Sequence, residues 1–201
     1  MKWTRAVHHL RELADKCAEL ASLPQSFYRF RVVQLWAVGD ILGAARDLDW
    51  VSVALAVDLP VEEVPWLSEP EGAEHWANAT RMSRNPIKPF WRSARAPVWN
   101  HHVDRPALLW DAETGMAEQT FAALLAGQGA EVRSTEPSSA ELRQRLEDEL
   151  AVCLGALREH TRVYEERRWG PGKLTPVADG LWLASLGYLD LLDACSDSAN
   201  G

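Results

Sequence analysis

Asp47 and Asp49 are separated by a single residue. They lie in the stretch Gly39-Asp40-Ile41-Leu42-Gly43-Ala44-Ala45-Arg46-Asp47-Leu48-Asp49-Trp50, between the apolar runs Arg31 to Val38 and Val51 to Val57. Residues two apart on a strand project from the same face, so the two carboxylates are expected to point together. Two such charges at 4 Å repel by about 1 kcal/mol in bulk water and by roughly 4 kcal/mol at a protein surface. A hard divalent cation that takes oxygen ligands, such as Mg²⁺, relieves that repulsion. The alternative is an acidic turn leading into a strand, with both side chains in water. An Asp-x-Asp pair by itself does not choose between the two.

The elements that must hold this pair follow from hydrophobic periodicity. Val7, Leu10, Leu13, Ala14, Cys17, Leu20 and Ala21 fall on one face of a helix over Trp3 to Leu23, and Pro24 ends it. Phe27 to Val38 is rich in aromatic and β-branched residues and is predicted to be a strand; Trp50 to Val57 is the second. Prolines 60, 65, 70, 86, 89, 97 and 106 then forbid long regular elements over residues 60–97 and at its edge, except for a short helix within Glu71 to Ser83. A further strand is predicted over Val98 to Asp104, and a helix over Glu113 to Leu125. Ser134 to Ser139 is a polar linker. The capping box Ser138-Ser139-Ala140-Glu141 opens a long helix that ends at Gly170-Pro171-Gly172. The final helix, Pro176 to about Cys195, is apolar on most sides and is expected to be largely buried, with a frayed tail from Ser196.

A glycine turn, a short spacer, Asp-x-Asp and then small and β-branched residues together resemble the signature of the nucleotidyltransferase superfamily. The resemblance covers about Arg31 to Pro60. It implies that Gly39 is the turn glycine that approaches a triphosphate, that Gly43 is the second glycine of the minimal and antibiotic-modifying branches, and that Asp47 and Asp49 chelate Mg²⁺. The fold it implies is α+β: a mixed sheet with flanking helices over residues 1–133, followed by a C-terminal helical subdomain over 138–195. The activity it implies is transfer of a nucleoside monophosphate from a nucleoside triphosphate to a hydroxyl acceptor. Where the family carries Ser or Gly after the turn glycine, this chain carries Asp40, an acceptor facing an anionic ligand. A metal can bridge Asp40 to the phosphate, Asp40 can cap the following turn, or the site no longer binds nucleotide. The last reading corresponds to a catalytically inactive binding or regulatory protein of the same fold.

The resemblance also requires a third carboxylate on a later strand, acting as general base toward the acceptor hydroxyl. Asp104 is the first candidate; Asp111 and Asp58 are alternatives. His102 shares strand parity with Asp104, whereas the neighbours in His8-His9 and in His101-His102 point apart and form no chelate by themselves. Lys173, on the loop Trp169-Gly170-Pro171-Gly172-Lys173, is a candidate phosphate contact or part of a plain turn; the spacing is not that of a Walker loop. No Gly-x-Ser-x-Gly elbow or Cys-His pair points to nucleophilic catalysis.

Bulk properties narrow the classes. The 201 residues are 47% hydrophobic and 25% charged, an ordinary globular composition. A net charge of −8 argues against a duplex-binding surface, which needs clustered Lys and Arg. Cys17, Cys153 and Cys195 are far apart and suggest packing, not a metal site or disulfide framework. No run approaches the roughly 20 apolar residues of a membrane span, and the N-terminus does not read as a signal peptide, so a cytoplasmic location is expected.

Overall fold

The computed structural model describes residues 1–24 and 28–200, with side chains through Asp197. Phe27, the expected start of the first strand, lies outside the described residues. The chain divides into two compact units: Met1–Leu59 with Pro70–Glu136, and Pro60–Glu69 with the chain from Pro137 onward.

The first unit is α+β. Helix α1 (Trp3–Ala21) buries Val7, Leu10, Leu13, Ala14 and Cys17, the stripe its periodicity marks. It packs on the strands β1 (Val32–Val38) and β4 (Ala107–Asp111). Trp3 Nε1 donates to the Leu124 carbonyl at 2.7 Å, tying α1 to α3 (Glu118–Leu125). The sheet is mixed and open, in the order β3-β2-β1-β4-β5, with β2 (Val51–Val57), β3 (Ile87–Ser93) and β5 (Gly115–Met116) completing it. β2 and β3 run parallel and the other neighbours antiparallel. Six of the seven β2 residues are buried, as expected of a central strand reading Val-Ser-Val-Ala-Leu-Ala-Val.

Three expectations need correction here. β3 lies in the proline-broken stretch and contains Pro89, opposite Val53. Proline lacks the ladder donor, but β3 is an edge strand with one neighbour, where that loss is tolerated. Val98 to Asp104 is not a strand. The Asn100 side-chain oxygen accepts the backbone N–H groups of His102 and Val103 at 3.0 and 2.9 Å, which folds the chain into a tight turn instead. α3 begins at Glu118, not Glu113, because Asp111 Oδ1 accepts the N–H groups of Glu113 and Thr114 and starts the turn into β5. Between these elements, α2 (Ala73–Ala79) sets Trp76 edge-on to Trp91 of β3, ring centroids 5.6 Å apart.

The second unit is a pair of long helices, α4 (Ser139–Arg167) and α5 (Thr175–Asn200), with residues 60–69 packed on them. The capping box forms: Glu141 N–H donates to Ser138 Oγ and Ser138 N–H to the Glu141 carboxylate. Hydrogen bonds donated by the Ser138 hydroxyl and by its N–H hold the Glu141 carboxyl below its ordinary range. Trp66 is buried, and its Nε1 donates to Asp190 of α5 at 2.7 Å. Helix α5 continues to Asn200, past the expected frayed tail. It is also less buried than expected: Ala184 and Leu191 are enclosed, but Trp182, Leu186, Leu189 and Leu192 are exposed. Among the described residues, no helix is long and apolar enough to cross a membrane.

Candidate functional site

The antiparallel pair β1–β2 runs in register from Gln34↔Ala56 to Val38↔Ser52, and its connection carries the acidic residues. The turn begins at Gly39, whose φ of +72° is left-handed, and continues as a short 3₁₀ helix, Gly39–Leu42. Ile41 and Leu42 are buried and anchor that helix, leaving Asp40 exposed. The side chain of Asp40 does not cap the turn. The backbone carbonyl of Asp40 accepts the Gly43 N–H at 3.0 Å, while its carboxylate pairs with Arg46 Nη2 at 2.8 Å.

Asp47 and Asp49 precede β2 outside any strand, with Asp49 at a bend, so the strand placement expected for the pair does not hold. Leu48, between them, is buried, and its backbone exchanges two hydrogen bonds with Met1: Leu48 N–H to the Met1 carbonyl, and the Met1 amino group to the Leu48 carbonyl. Leu48 is turned inward, whereas Asp47, Asp49 and Trp50 are all exposed, so strand alternation does not set the direction of the pair. Together with Gly39, Asp40, Arg46 and Trp50 they line one open hollow of about 410 Å³, within the range of small-molecule sites. Among the described residues, neither carboxylate is engaged by a hydrogen bond or an ion pair. Both carboxylates are exposed, and oxygen donors of this kind are the ones hard divalent cations take.

Asp104 lies on the loop before β4, and its carboxylate pairs with Arg133 Nη1 at 3.6 Å. It lines an adjoining hollow with His102, Arg133, Gly39, Asp40 and Arg46. The Asp40–Arg46 pair is common to both hollows, with Asp47 and Asp49 in one and Asp104 in the other. The strand parity argued for His102 and Asp104 fails with the strand itself, yet the two still line one hollow.

The alternative third carboxylates have structural work. Asp58 Oδ1 accepts the Arg31 N–H at 2.7 Å at the base of the β1–β2 pair. Partial burial pushes the Asp111 carboxyl up, but hydrogen bonds from Gln34 and from the backbone of Glu113 and Thr114 outweigh it and hold the group below its ordinary range. Lys173 is exposed on the turn between α4 and α5 and belongs to the second unit. Arg92 is buried and donates to the Val98 carbonyl at 2.9 Å, so it adds nothing to a basic surface. Burial likewise pushes the Cys17 thiol well above its usual range, leaving it a packing residue.

Two residues of the site escape sequence reasoning. Arg46 neutralises Asp40, and Trp50, 56% exposed, sets an indole beside Asp49. A signal for Arg46 exists in its adjacency to Asp47; one for Trp50 is an aromatic residue placed where a strand should turn inward.

The profile of a family described as Domain of unknown function (DUF7711) matches residues 1–197. No curated protein and no solved structure matches the chain.

Proposed function

We propose that this chain, which belongs to the DUF7711 family, is a nucleotidyltransferase-like protein that transfers a nucleoside monophosphate from a nucleoside triphosphate to a hydroxyl acceptor. The observation that carries the reading is the joint, partner-free presentation of Asp47 and Asp49 in one hollow beside the Gly39 turn. Mg²⁺ held by these two carboxylates would supply charge neutralisation and in-line alignment of the triphosphate. Gly39 keeps the backbone bare where the phosphates approach. Arg46 pairs with the exposed carboxylate of Asp40 at 2.8 Å and lessens the repulsion that residue would exert on a polyphosphate. Trp50 offers a stacking face to the base. The acceptor oxygen bonds to the α-phosphorus as the bond to pyrophosphate breaks, and Asp104 takes the acceptor proton.

A second reading, nucleotide binding without turnover, is favoured by one observation: Asp104 lies across the Asp40–Arg46 pair from Asp47 and Asp49, bound to Arg133. Thermal unfolding with Mg²⁺ and each nucleoside triphosphate tests both. Ligand at a hundred times its dissociation constant adds about 2.7 kcal/mol of stability. A shift that disappears in Asp47→Asn and Asp49→Asn, together with pyrophosphate release in the presence of polyol acceptors, is expected for the enzyme. The same shift without pyrophosphate release supports the binding module. No shift with any nucleotide overturns both.

A further inference from the structure

Helix α5 has two apolar faces, and only one of them is covered. Ala184 and Leu191 are buried, whereas Trp182 is 63% exposed, Leu186 40%, Leu189 54% and Leu192 38%. Their spacing of four, three and three residues keeps them on one side of the helix, a stripe running about 15 Å along its axis. Scattered single hydrophobic residues on a surface mean little, but a contiguous row of a tryptophan and three leucines marks a contact surface. Apolar area left in water is unfavourable in proportion to its size, so a partner that covers these four side chains recovers that cost.

Charge says what kind of partner. Helix α5 carries Asp179, Asp190, Asp193 and Asp197 and no Lys or Arg. Asp190 is taken up by Trp66, but Asp179, Asp193 and Asp197 are exposed at the two ends of the stripe. The whole second unit holds fourteen acidic and seven basic side chains, which accounts for −7 of the chain's net −8. A second copy of α5 packed antiparallel would set Asp179 against Asp193 and Asp197 of its partner; packed parallel, it would set each aspartate against itself. Both arrangements oppose like charges. An anionic lipid surface is repelled for the same reason.

We propose that this face of α5 docks a cationic amphipathic helix of another protein, with its apolar side chains against Trp182, Leu186 and Leu189 and its Lys or Arg residues opposite Asp179, Asp193 and Asp197. Helix-on-helix docking through i, i+4, i+7 anchors needs the continuous apolar row that this helix presents.

The full chain is titrated with a dye-labelled helical peptide of leucine and lysine, its leucines on one face, and with a twin in which every lysine is glutamate. The lysine peptide binds and the glutamate twin does not. Trp182→Ala combined with Leu189→Ala weakens binding by about tenfold or more. The triple variant Asp179→Asn, Asp193→Asn, Asp197→Asn keeps the apolar row and also weakens binding, with a reduced salt dependence. All these positions are exposed, and far-UV circular dichroism confirms that each variant is folded. Equal binding of both peptides, or binding unchanged in both variants, overturns the proposal. So does self-association of the free chain that Leu189→Asp abolishes, since the face would then belong to a second copy.

Discussion

Gly39 shows how a single residue sets this site. At φ +72° a side chain with a Cβ is strained, yet a Cβ at Gly39 would meet nothing within 4 Å. The demand for glycine is therefore conformational and not steric. Gly39→Ala should cost about 1–2 kcal/mol in a urea unfolding midpoint, and in the proposed enzyme it should weaken nucleotide binding as well. Asp111 tests a different kind of residue effect. Its folded-state carboxyl is held below the unfolded value, so its contribution to stability is fully present above about pH 4 and is lost as pH falls through the lower folded value. Asp111→Asn keeps an oxygen for the Glu113 and Thr114 N–H groups but cannot ionise. Its unfolding midpoint should therefore decline less than that of the native chain between pH 4 and pH 2, and parallel declines would refute the assignment.

Among the elements, the legible ones were those whose evidence is local. Helix α1, strands β1 and β2 and helix α4 declare themselves by period and by capping, because a buried stripe needs regular spacing and a helix start needs a partner for its free N–H groups. Strand β3 hid behind Pro89: whether a proline is tolerated depends on which edge of the sheet the strand occupies, and that is not a local property. The stretch Val98 to Asp104 misled in the opposite direction, since the side chain of Asn100 outcompetes a strand for the backbone N–H groups. Helix α5 was legible as a helix but not in its burial. Its packing against the 60–69 segment is close: a Cβ on Gly187 would lie 2.2 Å from the Trp66 carbonyl oxygen. Gly187→Ala must displace backbone and should destabilise the chain by about 1–3 kcal/mol. Gly155→Ala on α4 meets nothing within 4 Å and should instead raise stability by about 0.5–1 kcal/mol, the ordinary helix preference for alanine. Comparing the two thermal midpoints separates packing from propensity.

At the scale of the whole molecule, the amino-acid order alone determined the α+β class with helices following the sheet, the glycine turn and the overall negative charge. All of these follow from short-range rules: two-residue alternation, helical period, and summed charge. Only the tertiary structure decided which residues meet. It brought the ten residues from Pro60, three of them acidic, into the helical unit, paired Asp40 with Arg46 and placed Asp104 in the adjoining hollow. These are contacts between residues distant in sequence or choices among competing partners. Their free energies depend on burial and geometry that no local pattern carries.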